Sequence, residues 1–109
     1  MNIYDIHDIY DISEAQPTEE LTTILAESDN RSGSVRIERI ISTGQVSGWY
    51  DQDETEFVAL LDGNAALEFE GGRRVSMARG DTLTIQPHER HKVTYTSTTP
   101  PCIWLCVFY

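Results

Sequence analysis

The chain has 109 residues, a formal net charge of −10 and an apolar fraction of 39%. This length fits one domain with one hydrophobic core, and the apolar content excludes a disordered chain. The negative charge disfavours binding to nucleic acids and to anionic membranes, because both present phosphate groups to a protein surface.

The sequence favours a cytoplasmic location. No apolar run approaches the roughly 20 residues that span a bilayer, and the acidic residues 1–11 lack the pattern of a signal peptide. Cys102 and Cys106 would lie about 13 Å apart on one strand, which is too far for a disulfide bond between them. Two buried, reduced thiols are typical of a cytosolic protein.

The first 30 residues are predicted to form an N-terminal arm and one short helix. Residues 1–17 show no clear period, and their Ile and Tyr side chains could form an edge strand or dock on a partner subunit. A helix is expected from Thr18, which can cap it, because Leu21, Ile24 and Leu25 repeat at helical spacing. The polar residues 27–33 would end that helix.

Residues 31–109 are predicted to form one β-barrel. Turn-forming residues such as Asp62-Gly63-Asn64 separate short segments that are β-branched or alternate between apolar and polar side chains. A spacing of about 8–12 residues between strands is typical of a sandwich or a closed barrel. The predicted strands are residues 35–42, 56–61, 65–70, 74–77, 82–85, 91–96 and 103–109.

Two spaced motifs in this region resemble those of the cupin superfamily. Glu56 is followed by six residues and Gly63, as in the second half of the first cupin motif. Gly80 and His91 have the separation found in the second motif. Residues 49–52, 56–58 and 90–93 are also similar to small, single-domain, RmlC-like bacterial cupins. The resemblance implies an all-β fold, the cupin double-stranded β-helix (jelly-roll barrel), with a pocket inside.

The resemblance also implies a set of metal ligands. In metal-binding cupins, two His and the Glu of the first motif, with the His of the second, hold one ion inside the barrel. This chain has Tyr50, Gln52, Glu56 and His91 at those positions, so only two keep the usual residue type. The first hypothesis is a divalent ion (Zn, Fe, Mn or Ni) held by Gln52, Glu56 and His91, with Tyr50 as a fourth ligand or substrate contact. An ideal strand would separate Gln52 and Glu56 by about 13 Å, so the chain must bend between them.

Two further hypotheses need no metal. In one, the pocket binds a small molecule, His91 acts as a hydrogen-bond partner or general base, and Glu56 is a second acid–base group or fixes the His tautomer. In the other, both residues are satisfied interior polar groups of a structural or regulatory domain. His88 is expected at a loop tip. The acidic cluster Asp51, Asp53 and Glu54 could attract calcium but is more typical of a solvated loop.

The resemblance favours an enzyme that acts on a small molecule, of dioxygenase or isomerase type, with His91, Glu56 and Tyr50 as catalytic residues. The alternative is a cupin that binds a small ligand without catalysis or without metal. We also expect a homodimer, because the apolar last strand and the Ile- and Tyr-rich arm resemble the strand exchange of small cupins.

Overall fold

The computed structural model describes residues 8–109 and shows an all-β fold with no helix in that range. None of these residues therefore belongs to a helix long and apolar enough to cross a membrane. The strands in chain order are β1 (Leu21–Asn30), β2 (Gly33–Ser42), β3 (Glu56–Asp62), β4 (Asn64–Phe69), β5 (Arg74–Ala78), β6 (Thr82–Ile85), β7 (His91–Thr96) and β8 (Cys102–Phe108).

The strands form two antiparallel sheets. The larger sheet has the order β1-β2-β8-β3-β6, and the smaller sheet has the order β5-β4-β7. β8 lies in the middle of the larger sheet, and five of its seven residues are buried. Burial on both faces explains why this strand is almost wholly apolar rather than alternating.

The seven strands predicted in residues 31–109 are confirmed, each with ends within two residues of the prediction. They were predictable because β-branched runs were separated by turn residues of specific backbone geometry. Gly63 and Gly80, for example, adopt φ values of 87° and 92°, which other residues rarely accept.

The predicted short helix is wrong, because Leu21–Asn30 form strand β1. Burial alternates from Leu21 to Leu25, and the strand pairs with β2 along its length. The helical spacing of Leu21, Ile24 and Leu25 misled the prediction, since Ile24 is 53% exposed and does not share a buried face with Leu25. The β-branched residues between them favour a strand, and pairing with β2 outweighs the weak local helix signal.

The described part of the N-terminal arm lies against β2 and the residue that follows it. The Arg39 guanidinium donates to the Asp11 carbonyl at 2.8 Å, and the Thr43 hydroxyl donates to the Gln16 carbonyl at 3.1 Å. Residues 1–7, which include half of the Ile and Tyr residues of the predicted arm, lie outside the described range.

The hydrophobic core lies between the two sheets. Leu60 and Cys102 are fully buried, and Leu67, Phe69 and Met77 of the smaller sheet pack in the same cluster. Several residues of this cluster also line a cavity, so the two sheets place that cavity inside the domain.

Candidate functional site

A cavity of about 230 Å³ lies between the two sheets. Its wall on the larger sheet carries Trp104, Cys106 and Phe108 of β8, and the opposite wall carries Leu67 of β4 and Val93 of β7. The surface is mostly apolar with a few polar groups, which is the usual make-up of a small-ligand site.

Two buried polar residues face each other in this cavity. Glu56 opens β3 and His91 opens β7, so each sheet contributes one of them. Only 8% of Glu56 and 3% of His91 is exposed to solvent. The His91 Nε2 atom lies 3.8 Å from the Glu56 Oε1 atom. The structure thus brings together two residues that are 35 positions apart in the sequence.

Backbone contacts orient the His91 ring. Its Nδ1 atom lies 2.8 Å from the carbonyl oxygen of Glu89. A carbonyl oxygen only accepts hydrogen bonds, so the Nδ1 atom carries a proton and donates it. The Nε2 atom is consequently the one that faces Glu56 and the cavity.

Burial raises the pKa of Glu56, and this is the largest influence on that carboxyl group. A hydrogen bond from Gln52, the charge of His91 and a hydrogen bond from the Cys106 thiol act in the opposite direction and lower it. The Gln52 Nε2 atom donates to Glu56 Oε1 at 2.9 Å. The Glu56 carboxyl group therefore lies beside an imidazole nitrogen and an amide donor inside a buried site.

Cys106 is a structural thiol rather than an activated nucleophile. Burial raises its pKa well above the ordinary value, and the neighbouring Glu56 charge raises it further. The group stays protonated at neutral pH and can donate to Glu56. Cys102, the other cysteine, is also free and buried, as expected.

Tyr50 stands at the mouth of the cavity. Its backbone exchanges two hydrogen bonds with that of His91, at 2.7 and 3.1 Å, and the two ring centroids are 5.5 Å apart. The residue is 45% exposed. Burial of the ring's inner side raises the pKa of Tyr50, with the charge of Glu20 next in importance. The phenol therefore remains a hydrogen-bond donor at neutral pH.

The chain between Gln52 and Glu56 bends, as the predicted ligand set required. Residues 51–55 are not part of a strand, and a turn at Asp53 and Glu54 leads into β3. Backbone hydrogen bonds hold both ends of this segment, since Tyr50 pairs with His91 and Thr55 pairs with Tyr109. The bend lets the Gln52 side chain reach Glu56 instead of lying about 13 Å away.

The side chains present do not fit a tightly held transition metal. No group of three His, Cys, Asp or Glu suited to a metal ion occurs among residues 8–109. Of the three predicted ligands, only one imidazole and one carboxylate can coordinate as they stand, because Gln52 turns its amide nitrogen, a donor, toward Glu56. Tight sites for such ions usually offer more nitrogen or sulfur ligands.

Several residues of the cavity were missed from the sequence. Glu20 and Thr22 reach it from the β1 side, and Glu38 and Ile40 reach it from β2. The first pair could not be found because this segment was assigned to a helix. Glu38 and Ile40 share one face of a predicted strand, and that alternation was a usable signal.

His88 and the acidic loop lie outside the cavity lining. The His88 ring contacts Asp51 through Nδ1 at 2.7 Å and Asp53 through Nε2 at 3.2 Å. The hydrogen bond with Asp51 is the main cause that raises the pKa of His88. The two carboxylates of the acidic loop therefore contact different nitrogens of the His88 ring.

Comparison with known proteins agrees with this architecture. A protein from Ralstonia eutropha JMP134 named as a candidate mannose-6-phosphate isomerase is 33% identical, with a TM-score of 0.83 over 96% of this chain and 97% of that one. An RmlC-like cupin protein from Desulfovibrio desulfuricans is 15% identical, with a TM-score of 0.73 over 96% of each chain.

A third solved structure, the DMSP lyase DddQ from Ruegeria pomeroyi DSS-3, is 17% identical with a TM-score of 0.67, over 82% of this chain and 46% of that one. No curated protein sequence matches the chain significantly. The family model of the cupin domain matches residues 38–108, which is more than half of the sequence. The chain therefore belongs to the cupin family.

Proposed function

We propose that this cupin is a small-molecule enzyme of isomerase type in which Glu56 and His91 move a proton on and off the ligand. The observation that carries the proposal is the buried pair itself, with His91 Nε2 and Glu56 Oε1 3.8 Å apart on the wall of a mostly apolar cavity. Titratable pairs in an enclosed pocket are typical of acid–base catalysis.

Glu56 and His91 can act as base and acid in one reaction, so that the pair holds the same number of protons before and after it. The unprotonated member accepts a proton from the ligand, and the protonated member returns one to a different ligand atom. Gln52 holds the Glu56 carboxylate, the Glu89 carbonyl holds the His91 ring, and the Tyr50 phenol is available as a hydrogen-bond donor at the mouth. Such a transfer within one ligand is an isomerisation.

The similarity to the Ralstonia protein supports the isomerase type over the dioxygenase type. Sugar isomerisation moves a proton between neighbouring carbon atoms, which a carboxyl–imidazole pair can do alone. A dioxygenase would need a redox metal, and the ligands available for one are few.

Solvent deuterium exchange tests the proposal. The protein is incubated in deuterated buffer with a panel of small carbonyl compounds and amines, and deuterium on ligand carbon is measured by NMR. We expect incorporation by the wild type and a loss of about 100-fold or more in Glu56→Gln and in His91→Asn. Glu70→Gln, which changes an exposed carboxylate, is the matched control.

Equal exchange by the wild type and Glu56→Gln would contradict the proposal. Ligand binding that depends on Glu56 but gives no exchange with any member of the panel would instead support the alternative, a cupin that binds a small ligand without catalysis. The same cavity supports that alternative, because an apolar pocket with a few polar groups is also a sufficient binding site.

The second candidate is a weakly held divalent ion, with Gln52, Glu56 and His91 as its ligands. It is favoured by one observation, the convergence of the Gln52 and His91 side chains on the Glu56 carboxyl group. Mass-spectrometric elemental analysis of protein produced with Zn, Fe, Mn or Ni decides it. A stoichiometric content that disappears in His91→Asn would support the ion, and a content near zero would exclude it.

We also propose that the chain forms a homodimer. β1 is an edge strand of the larger sheet, and Ile24 on it is 53% exposed. Exposed strand edges with apolar side chains tend to pair with another chain. Sedimentation at micromolar concentration is expected to show a dimer that Ile24→Glu weakens. A monomeric wild type would contradict this.

A further inference from the structure

We propose that the cavity selects small organic cations such as primary amines and rejects phosphates and carboxylates, with Glu20 and Glu38 as the residues that determine this selectivity. The inference rests on the proposed function, because it concerns the ligand of the same cavity. It differs from what the name of the Ralstonia protein would suggest, since that name refers to a phosphate ester.

Strand pairing places Glu38 on the cavity side of the larger sheet. Glu38 of β2 is directly opposite Cys106 of β8, and Cys106 is directly opposite Val58 of β3. Directly paired residues point to the same side of a sheet, and all three line the cavity. The Glu38 side chain is only 14% exposed, so its charge is close to the ligand and poorly screened by water.

A chain of hydrogen bonds holds Glu20 at the same wall. Trp104, which lines the cavity, donates from Nε1 to the Ser42 hydroxyl at 3.1 Å. That hydroxyl donates to Glu20 Oε2 at 2.8 Å. Trp104 and Ser42 are both uncharged, so these hydrogen bonds orient the Glu20 side chain without cancelling its negative charge.

The positive charge near the cavity is too small to cancel the negative charges of Glu20 and Glu38. No Lys or Arg is among the described residues that line the cavity. The adjacent Arg36 lies 2.6 Å from Glu38 and 3.3 Å from Glu54, so it is shared between two carboxylates. A single guanidinium cannot neutralise Glu38, Glu54 and Glu20 together, and the cavity keeps a negative potential.

The aromatic side chains on the wall add to the same preference. Tyr50, Trp104 and Phe108 line the cavity, and the faces of aromatic rings attract cations. A phosphate would instead meet carboxylates and ring faces, with no Lys or Arg on the described lining to pair with it. An amine can pair with Glu20 or Glu38 while its apolar part contacts Ile40 and Val58.

Cys106 provides a direct probe of this potential, because its thiol lines the cavity. Three methanethiosulfonate reagents are used, with trimethylammonium, sulfonate and neutral ethyl groups, and each rate is divided by that for free 2-mercaptoethanol. Peptide mass spectrometry locates the adduct, with Cys106→Ser as the negative control. We expect the cationic reagent to exceed the anionic one by about tenfold or more.

Replacing both carboxylates, as Glu20→Gln with Glu38→Gln, is expected to bring that ratio within about twofold of unity. Glu70→Gln, which lies outside the cavity lining, should leave the ratio unchanged. An equal or reversed ratio in the wild type, or a ratio that the double variant keeps, would overturn the proposal.

The neutral reagent separates this inference from the proposed function. Modification of Cys106 by the ethyl reagent shows that small molecules enter the cavity, so a ratio near unity would then refute only the charge selectivity. Because burial raises the pKa of Cys106, the rates are measured at alkaline pH, where part of the thiol is ionised, and the protein unfolded in urea is the positive control. Failure of the ethyl reagent to modify Cys106 in the folded protein under these conditions, with modification in urea, would mean that small molecules do not enter, and this would overturn both proposals.

Discussion

Burial controls the protonation of Glu56, and this has a consequence for stability. Because burial raises the pKa of Glu56, the folded state binds a proton there more readily than the unfolded state does. Its contribution to stability is present below the ordinary carboxyl pKa and is lost as the pH rises through the raised value. Gln52 and His91 reduce this loss because both favour the ionised form.

We therefore predict that Glu56→Gln gains stability relative to the wild type as the pH rises above 4.5, the ordinary value for glutamate. The amide keeps the shape of the side chain but does not ionise, so the loss described above does not occur. Urea unfolding across the pH range measures the difference in free energy of unfolding. A difference that is constant with pH would contradict the raised pKa of Glu56.

The residues of the site were only partly predictable. Glu56, His91, Gln52 and Tyr50 were named because the resemblance to the cupin motifs assigns them to ligand positions. Glu38 carried no motif, and its role follows from lying opposite Cys106 in the sheet. Such pairing depends on strand order, which is a property of the whole fold and not of local sequence.

At the level of strands and loops, hydrogen bonds of His88 connect the segment before β3 to the loop before β7. His88 bridges Asp51 and Asp53, and its backbone N–H donates to the Gln52 carbonyl at 2.7 Å. Its φ of 61° is in the left-handed region, which is uncommon for residues other than glycine. This contact helps to place the Gln52 side chain beside Glu56.

The stability added by His88 should depend on pH. Its pKa is raised chiefly by the hydrogen bond with Asp51, so the contribution is complete below 6.5, the ordinary histidine value, and is lost as the pH rises through the raised value. We predict that the stability difference between the wild type and His88→Asn shrinks over that window. Asparagine accepts the same backbone conformation, which makes it the matched variant. Urea unfolding at several pH values checks this, and a difference that grows with pH would refute it.

The turn between β3 and β4 depends on Gly63. A Cβ atom there would lie 2.8 Å from the Cys102 Cα atom, and the φ of 87° is already unfavourable for other residues. We predict that Gly63→Ala lowers the free energy of unfolding by about 2 kcal/mol or more. Gly72→Ala is the control, because Gly72 has a φ of 96° but open space around it, and it should cost about 1 kcal/mol. Equal losses would contradict the close approach.

The error at β1 shows where element prediction fails. In residues 21–25 the apolar side chains are at positions 21, 24 and 25, which fits a helical period. A segment of five residues is too short to distinguish this pattern from that of a strand. Pairing with β2 decides the outcome. No local signal in the sequence of β1 indicates that β2 is its partner. Strands bounded by clear turns, such as β3 and β4, were predicted correctly although they are shorter than β1, because the local sequence was sufficient.

For the whole molecule, the two sheets are held together by one core. Leu60 of β3 is fully buried in it and pairs with Trp104 of β8 within the larger sheet. We predict that Leu60→Ala lowers the free energy of unfolding by about 2–5 kcal/mol, because it leaves a cavity. Val46→Ala, at a position 63% exposed, should change it by less than about 0.5 kcal/mol. Thermal or urea unfolding compares them, and a small loss for Leu60→Ala would show that the core is elsewhere.

The cupin architecture was predictable at this scale because the strand spacing and both motifs pointed to one answer. The shape and charge of the cavity were not, since they arise from residues on every strand except β5. Side chains from these seven strands converge only after the sheets have formed.

The claim on which the proposed function depends is that the His91 Nε2 atom faces the Glu56 carboxyl group inside the cavity. The ¹⁵N chemical shifts of the His91 ring, measured by NMR in the wild type, Glu56→Gln and Glu70→Gln, test it most directly. We predict a proton on Nδ1 and an Nε2 signal that moves in Glu56→Gln but not in Glu70→Gln. An Nε2 signal that is the same in all three proteins would contradict the claim.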